Sequence, residues 1–182
     1  MKRILLHICC AGCACYPYQK LKEEGFEVVG FWYNPNIQPY EEYRRRLMAT
    51  GYFAQATSLK LITDTDYPLK NFLKGILAKE EAKEVRCSFC YEMRMERAAR
   101  SAKERGFDYF TTTLLYSKFQ QHNLIKELGE KLGEKYDVNF YYEDFREGWK
   151  EGITLSKKMG LYRQQYCGCI FSEKERYSEY TL

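Results

Sequence analysis

Short apolar runs alternate along the chain with longer stretches of helical period. RILLHI (3–8) is an almost unbroken apolar run of strand length. EVVGFWYNPN (27–36) reads as a second strand that ends in an Asn-Pro turn. SLKLITD (58–64), FDYFTTTLLY (107–116) and VNFYYEDF (138–145) supply three more, rich in β-branched and aromatic residues. Between them the spacing predicts helices over 17–24, 41–56, 68–84, 89–105 and 120–136. Pro17 suits the first turn of the first helix, and Gly25 its C′ position. The C-terminal third reads as helical to about residue 160 and irregular around YRQQYCGCIFS (162–172). Strand alternating with helix predicts an α/β fold: a mostly parallel, five-stranded, Rossmann-like sheet, doubly wound, with helices on both faces. The expectation is a single domain over 1–182, with no repeat and no linker. Such sheets bind ligands beyond the carboxyl ends of their strands, where strand order reverses. Cys9 and Cys10 fall at that end of the first strand.

Composition narrows the class. The 182 residues are 45% hydrophobic and 30% charged, with a net charge of +4, ordinary for a globular protein. No window holds the roughly eighteen successive apolar residues of a membrane span. The N-terminal MKRILLHICCAGCACY lacks the long apolar stretch and cleavage site of a signal peptide, so the expected location is the cytoplasm. The small positive surplus permits nucleic-acid binding without requiring it.

The eight cysteines change the picture most. They form three groups: Cys9, Cys10, Cys13 and Cys15; Cys87 and Cys90; Cys167 and Cys169. Close pairs in a reducing compartment suggest metal or redox chemistry, and structural disulfides are the lesser reading. The C-x-x-C pair is placed at a predicted helix start, where free amides would stabilise thiolates. The glycine of C-G-C allows backbone to approach a cofactor closely. Together the groups supply six or more thiolates. One tetrahedral zinc takes four, and so does one [4Fe–4S] cluster. The surplus implies two metal centres, or one centre beside redox-active thiols. Cys15 reads as a packed small residue, and Cys13 stands evenly between packing and ligation.

Other residues carry weaker signals. His7, inside an apolar strand, reads as a satisfied core histidine, and His122 as an exposed residue opening a helix. Asp64, Asp66 and Asp144 lie at strand ends as acids, hard ligands or caps. NPNIQPYEEYRRR (34–46) mixes amides, aromatics and Arg44, Arg45 and Arg46, a combination suited to phosphates and unstacked bases or to a solvated helix face. Arg94, Arg97 and Arg100 recur every third residue after Cys90; Arg86 precedes Cys87, and Arg163 with Gln164 precedes Cys167. No Ser-His-Asp set, Walker loop or G-x-G-x-x-G is present.

The motifs H-x-C-C-A-x-C, F-W-Y-N-P-N-I-x-P-x-x-E-Y, R-C-x-x-C-Y-x-M-R-M, T-T-T-L-L-x-S and L-Y-R-Q-x-Y-C-G-C-I-F-S occur in this order over residues 4–172. In that combination the chain resembles the QueH-type, cobalamin-independent epoxyqueuosine reductases. The resemblance implies reductive removal of the epoxide oxygen from epoxyqueuosine at the wobble position of tRNA, giving queuosine. It implies a [4Fe–4S] cluster with an adjacent mononuclear iron, and as their ligands Cys9, Cys10, Cys87, Cys90, Cys167 and Cys169. Gly12, where many relatives have proline, and the extra Cys15 depart from the pattern. The reaction takes two electrons and two protons and releases water, so an external donor such as a ferredoxin or flavodoxin is expected, with an open iron position as Lewis acid. Asp66, Tyr162 and Tyr166 are the candidate proton donors. Arg44, Arg45, Arg46, Arg94, Arg97 and Arg163 are the candidate tRNA contacts, and the anticodon stem-loop the expected partner. Two other classes remain: a thiol-redox or sulfur-transfer enzyme without iron, and a zinc-stabilised RNA-binding module.

Overall fold

The computed structural model describes residues 1–78 and 82–178. Its five strands form one parallel sheet in the order β3-β2-β1-β4-β5: β1 Arg3–His7, β2 Glu27–Trp32, β3 Lys60–Thr63, β4 Tyr109–Thr112 and β5 Asn139–Phe140. The α/β expectation holds. β1 is central, pairing Leu5 with Val29 of β2 and with Phe110 of β4. Ile4, Leu5 and Leu6 are fully buried. Three such side chains are worth roughly 5–9 kcal/mol, comparable to the net stability of a domain. A one-residue slip would turn them out of their packing, so the residues after His7 are held in place.

The helices are α1 Ala11–Glu23, α2 Tyr40–Thr57, α3 Leu69–Leu77, α4 Lys83–Glu104, α5 His122–Tyr136, α6 Trp149–Lys158 and α7 Ile170–Tyr177. Right-handed crossovers put α1 and α2 on one face and α4 and α5 on the other. α6 packs on α1, and α5 on α4. Order reverses between β1 and β4, the strands whose carboxyl ends carry Cys9 and Thr113.

Several boundaries differ from the sequence pattern. α1 begins at Ala11 rather than 17 because the Cys10 sulfur caps it, accepting from the Cys13 amide at 3.4 Å. Pro17 therefore lies inside the helix, where it forfeits one backbone hydrogen bond. Gly25 does close α1, at φ +84°. The helix expected over 68–84 ends at Leu77, and residues 79–81 of that span lie outside the described residues. α4 begins at Lys83, not 89. β4 stops at Thr112, whose Oγ1 accepts from the Leu114 amide and turns the chain into a 3₁₀ turn, Thr113–Tyr116. β5 is only two residues long. Beyond it the Tyr141 amide still donates to the Phe110 carbonyl at 2.9 Å, while its ring packs edge-on against Phe26 and Tyr109.

His7 is a buried core histidine. Its Nε2 lies 3.3 Å from the Tyr33 carbonyl and its Nδ1 2.8 Å from Thr112 Oγ1. Burial first, and then the neighbouring Arg94 charge, push its pKa down to about 4, so the ring is neutral. His122 is buried, not exposed as its position suggested: it folds back under the 3₁₀ turn, with Nε2 3.2 Å from the Leu115 carbonyl and 3.4 Å from Asp144.

Candidate metal centre

Cys9 follows the end of β1, Cys10 caps α1, and Cys13 lies in its first turn. The three sulfurs lie within 4.8 Å of one another, a set that can hold a metal ion. Sulfurs bound at about 2.3 Å to one tetrahedral metal stand roughly 3.8 Å apart, and Cys9 and Cys10 are already at 4.0 Å. Hydrogen bonds from Cys10 and Cys13 hold the Cys9 thiol well below its ordinary pKa. Burial pushes Cys10 up, and hydrogen bonding to Cys10 and Cys9 pushes Cys13 up. The three sulfurs share hydrogen bonds, and a metal bound here would displace their remaining protons. Thr113 Oγ1 accepts from the Cys9 amide at 3.0 Å and donates to its sulfur at 3.2 Å. Gln164 Nε2 donates to Cys10 at 2.8 Å and to Cys13 at 3.6 Å. Cys13, evenly balanced in the sequence, belongs to this set. Cys15 turns into the core and bonds to the Ala11 carbonyl.

A cavity of about 700 Å³ opens beside the triad. Cys87 and Cys90 of α4 and Cys167 and Cys169 of the loop before α7 line it together with Cys9 and Cys13. Because α4 starts at Lys83, Cys87 and Cys90 sit past its first turn rather than at its free amides. Their thiols are raised, not lowered: burial takes Cys90 to about 12, and burial and then the nearby Cys167 and Cys169 raise Cys87. A metal bound by these sulfurs would favour their thiolate form.

Two buried polar side chains in the cavity wall carry atoms with no hydrogen-bond partner among the described residues. Arg94 is 1% exposed; its Nη1 reaches Asn34 Oδ1 at 3.3 Å, but Nε and Nη2 donate to nothing within the described residues. Asn36 is buried with both amide atoms unsatisfied. Burial alone would lower the Arg94 pKa, but Cys90, Cys167 and Cys9 in their thiolate forms raise it. Unmet buried donors cost about 1–3 kcal/mol each. They fit an anionic thiolate-bound metal group in this cavity.

Arg46 has another task. It is buried, its Nε 2.7 Å from Glu42 Oε1, and it donates to the carbonyls of Cys167 at 2.8 Å and Tyr166 at 3.1 Å. It ties the C-G-C loop to α2 and is not presented to a docking RNA. Gly168 has φ +145°, and a Cβ there would meet Asn36 Nδ2 at 2.9 Å. Among protein atoms its close approach is to Asn36. Arg46→Met leaves Glu42 uncompensated and is expected to cost about 3–5 kcal/mol, read by chemical denaturation. A loss below about 1 kcal/mol would show that the clamp is not structural.

The other candidates separate by place. Tyr166 lines the cavity, and its hydroxyl donates to the Gln38 carbonyl at 2.5 Å. The Tyr162 hydroxyl is committed to Glu42 Oε2 at 2.6 Å, outside the cavity lining. Asp66 is exposed on a separate cavity of about 350 Å³, with Asp64, Arg97 and Arg100. Arg97 there pairs with Asp64 at 2.6 Å. Asp144 caps a 3₁₀ turn at Phe145–Gly148. Arg44 pairs with exposed Glu41, Arg45 lies over the Tyr162 ring, and Arg163 is exposed on the cavity wall. Sequence reasoning did not single out Thr113, Asn36 or Gln120, which donates to Cys167 at 3.4 Å. Asn36 and Thr113 lie within the quoted N-P-N-I and T-T-T-L-L stretches, whereas Gln120 carried no signal.

A sequence model of the family described as "Epoxyqueuosine reductase QueH" matches residues 4–175. The chain is 36% identical over 177 residues to the Epoxyqueuosine reductase QueH of Dehalococcoides mccartyi, covering 97% of this chain and 96% of the relative. It is 37% identical over 183 residues to that of Thermotoga maritima, covering 97% and 93%. Among solved structures, a predicted subunit of tRNA methyltransferase from Methanocaldococcus jannaschii superposes with a TM-score of 0.58 at 12% identity, covering 87% of this chain and 76% of that one. At that identity the likeness shows the fold alone.

Proposed function

The chain belongs to the epoxyqueuosine reductase QueH family, and from that premise we propose how its residues divide the work. It is an oxidoreductase of queuosine biosynthesis, and its substrate is tRNA. The observation that carries the rest is the convergence of seven cysteine sulfurs: the compact triad, and four more on the same cavity.

Cys87, Cys90, Cys167 and Cys169 equal in number the ligands of a [4Fe–4S] cluster. Cys9, Cys10 and Cys13 would hold the adjacent iron. When bound, this centre supplies single electrons and a Lewis acid for conversion of an epoxide, two electrons and two protons to an alkene and water. The electrons come from an external ferredoxin-like or flavodoxin-like protein. Arg94 and Asn36 offer buried donors to the anionic centre, and Gln164 and Thr113 fix the triad's orientation. Of the three proton-donor candidates we favour Tyr166, the one that lines the cavity, although its hydroxyl donates to the Gln38 carbonyl. Arg44, Arg45 and Arg163 remain as docking cations; Arg46 and Arg94 are buried, and Arg97 is spent on Asp64. We place the protein in the cytoplasm as a single domain. No described helix is long and apolar enough to cross a membrane.

Anaerobic purification followed by iron, zinc and acid-labile sulfide analysis tests this reading. About four sulfides and four to five irons per chain are expected, with conversion of epoxyqueuosine-bearing tRNA under a chemical reductant. About one zinc without sulfide would overturn the iron–sulfur assignment.

A further inference from the structure

We propose that Phe119, backed by Trp149 and Tyr116, with Lys118 over Trp149 and Arg163 on the same cavity, is a stacking platform for an unpaired RNA base adjoining the nucleotide that enters the cavity. The inference deepens the functional reading. It rests on tRNA being the substrate, not on the identity of the metal.

Phe119 is 83% exposed, the most exposed large aromatic among the described residues. Leaving such a ring in water forfeits roughly 1.5–3 kcal/mol of burial. The exposure is built in. The Phe119 amide donates to Ser117 Oγ at 3.2 Å, and the Gln120 amide approaches the Ser117 carbonyl. The ring meets Trp149 edge-to-face at 5.9 Å, and Trp149 stacks on Tyr116 at 5.1 Å and 27°. All three rings line the 700 Å³ cavity that holds the sulfurs. They form a continuous aromatic surface from the wall outward, ending in an uncovered ring.

Charge on this lip is complementary to RNA. Lys118 Nζ lies over the Trp149 ring at 5.7 Å. Arg163 is exposed on the same cavity, close enough to act on the Tyr116 hydroxyl. Among the described residues neither has a carboxylate partner. A nucleotide drawn into a cavity leaves its neighbour unstacked, and an aromatic face beside the opening replaces the lost contact. Such stacking is worth about 1–3 kcal/mol per base. A polyanion suits two unpaired cations better than an apolar protein segment does.

The test is fluorescence anisotropy of the purified, metal-loaded protein with a labelled anticodon stem-loop and, as control, a fully paired RNA duplex. Phe119→Ala is expected to weaken stem-loop binding about 5- to 150-fold, while duplex binding and the melting temperature stay unchanged. Phe119→Trp should retain affinity and Phe119→Leu should not. Lys118→Ala should reduce the salt slope by about one. Tyr52→Ala, an exposed aromatic on α2, should have no effect. Equal stem-loop affinity for Phe119→Ala and the unaltered protein would overturn the proposal. Unchanged RNA affinity with slower reduction by a protein donor would assign this face to the donor and overturn it too. Failure of the unaltered protein to bind the stem-loop would instead count against the tRNA reading itself.

Discussion

Serine at Cys9, Cys10 or Cys13 is expected to abolish metal binding at the triad, whereas alanine at Cys15 leaves the metal content unchanged. A hydroxyl replaces the soft thiolate donor, and no further cysteine lies in the compact set that can hold a metal. Loss of an outer-shell partner commonly costs 10–100-fold in metal affinity, and loss of a direct ligand should exceed that. Cys15 is the internal control. It shares the helix and the burial, and its thiol is raised to about 12 by burial alone apart from a local backbone contact. Its sulfur faces the Ala11 carbonyl and not the other thiols. Serine at Cys87, Cys90, Cys167 or Cys169 should remove acid-labile sulfide. Iron and sulfide per chain, measured after anaerobic desalting, check the set. If the Cys15 variant lost as much iron as the Cys13 variant, the division between ligand and packed residue would fail.

The fold was legible where apolar runs are unambiguous. RILLHI marks the central strand because both its faces are buried, and Gly25 marks the end of α1 because the chain turns there at positive φ. The start of α1 was not legible, since a cysteine sulfur took the capping place usually held by Ser, Thr, Asp or Asn. The arginines show why the site was only partly legible. In α2 three arginines are consecutive, so at about 100° per residue only one can share the inner stripe. That one is Arg46, in register with buried Tyr43, Thr50 and Phe53. In α4 the spacing of Arg94, Arg97 and Arg100 suggests one face. Each step of three residues falls short of a 3.6-residue turn by roughly 60°. Arg94 therefore joins buried Cys90, Tyr91 and Met95, Arg97 is half-buried, and Arg100 reaches solvent. Which cations were solvated could be seen only against the packed stripe, not from local charge density.

That burial gives Arg94→Met a distinctive expected result: metal retention falls about 10–100-fold, while the melting temperature of the metal-free protein does not fall. Methionine keeps an unbranched side chain of similar reach and discards the charge. In the metal-free cavity the guanidinium gives up little, because among the described residues its one hydrogen bond is the long one to Asn34 and two of its nitrogens are unmatched. Replacing a poorly matched buried charge by an apolar side chain is often neutral or stabilising. With the centre bound, the balance reverses: several thiolates converge near the site, and no other described cation is both buried in this wall and unmatched. Removing Arg94 then leaves net negative charge in a poorly solvated cavity, a cost that appears as weaker metal binding. Melting curves with and without metal, together with iron retained against a chelator, separate the two terms. A lower melting temperature in the metal-free protein would make Arg94 a structural strut. Undiminished retention would show that the centre's charge is balanced elsewhere.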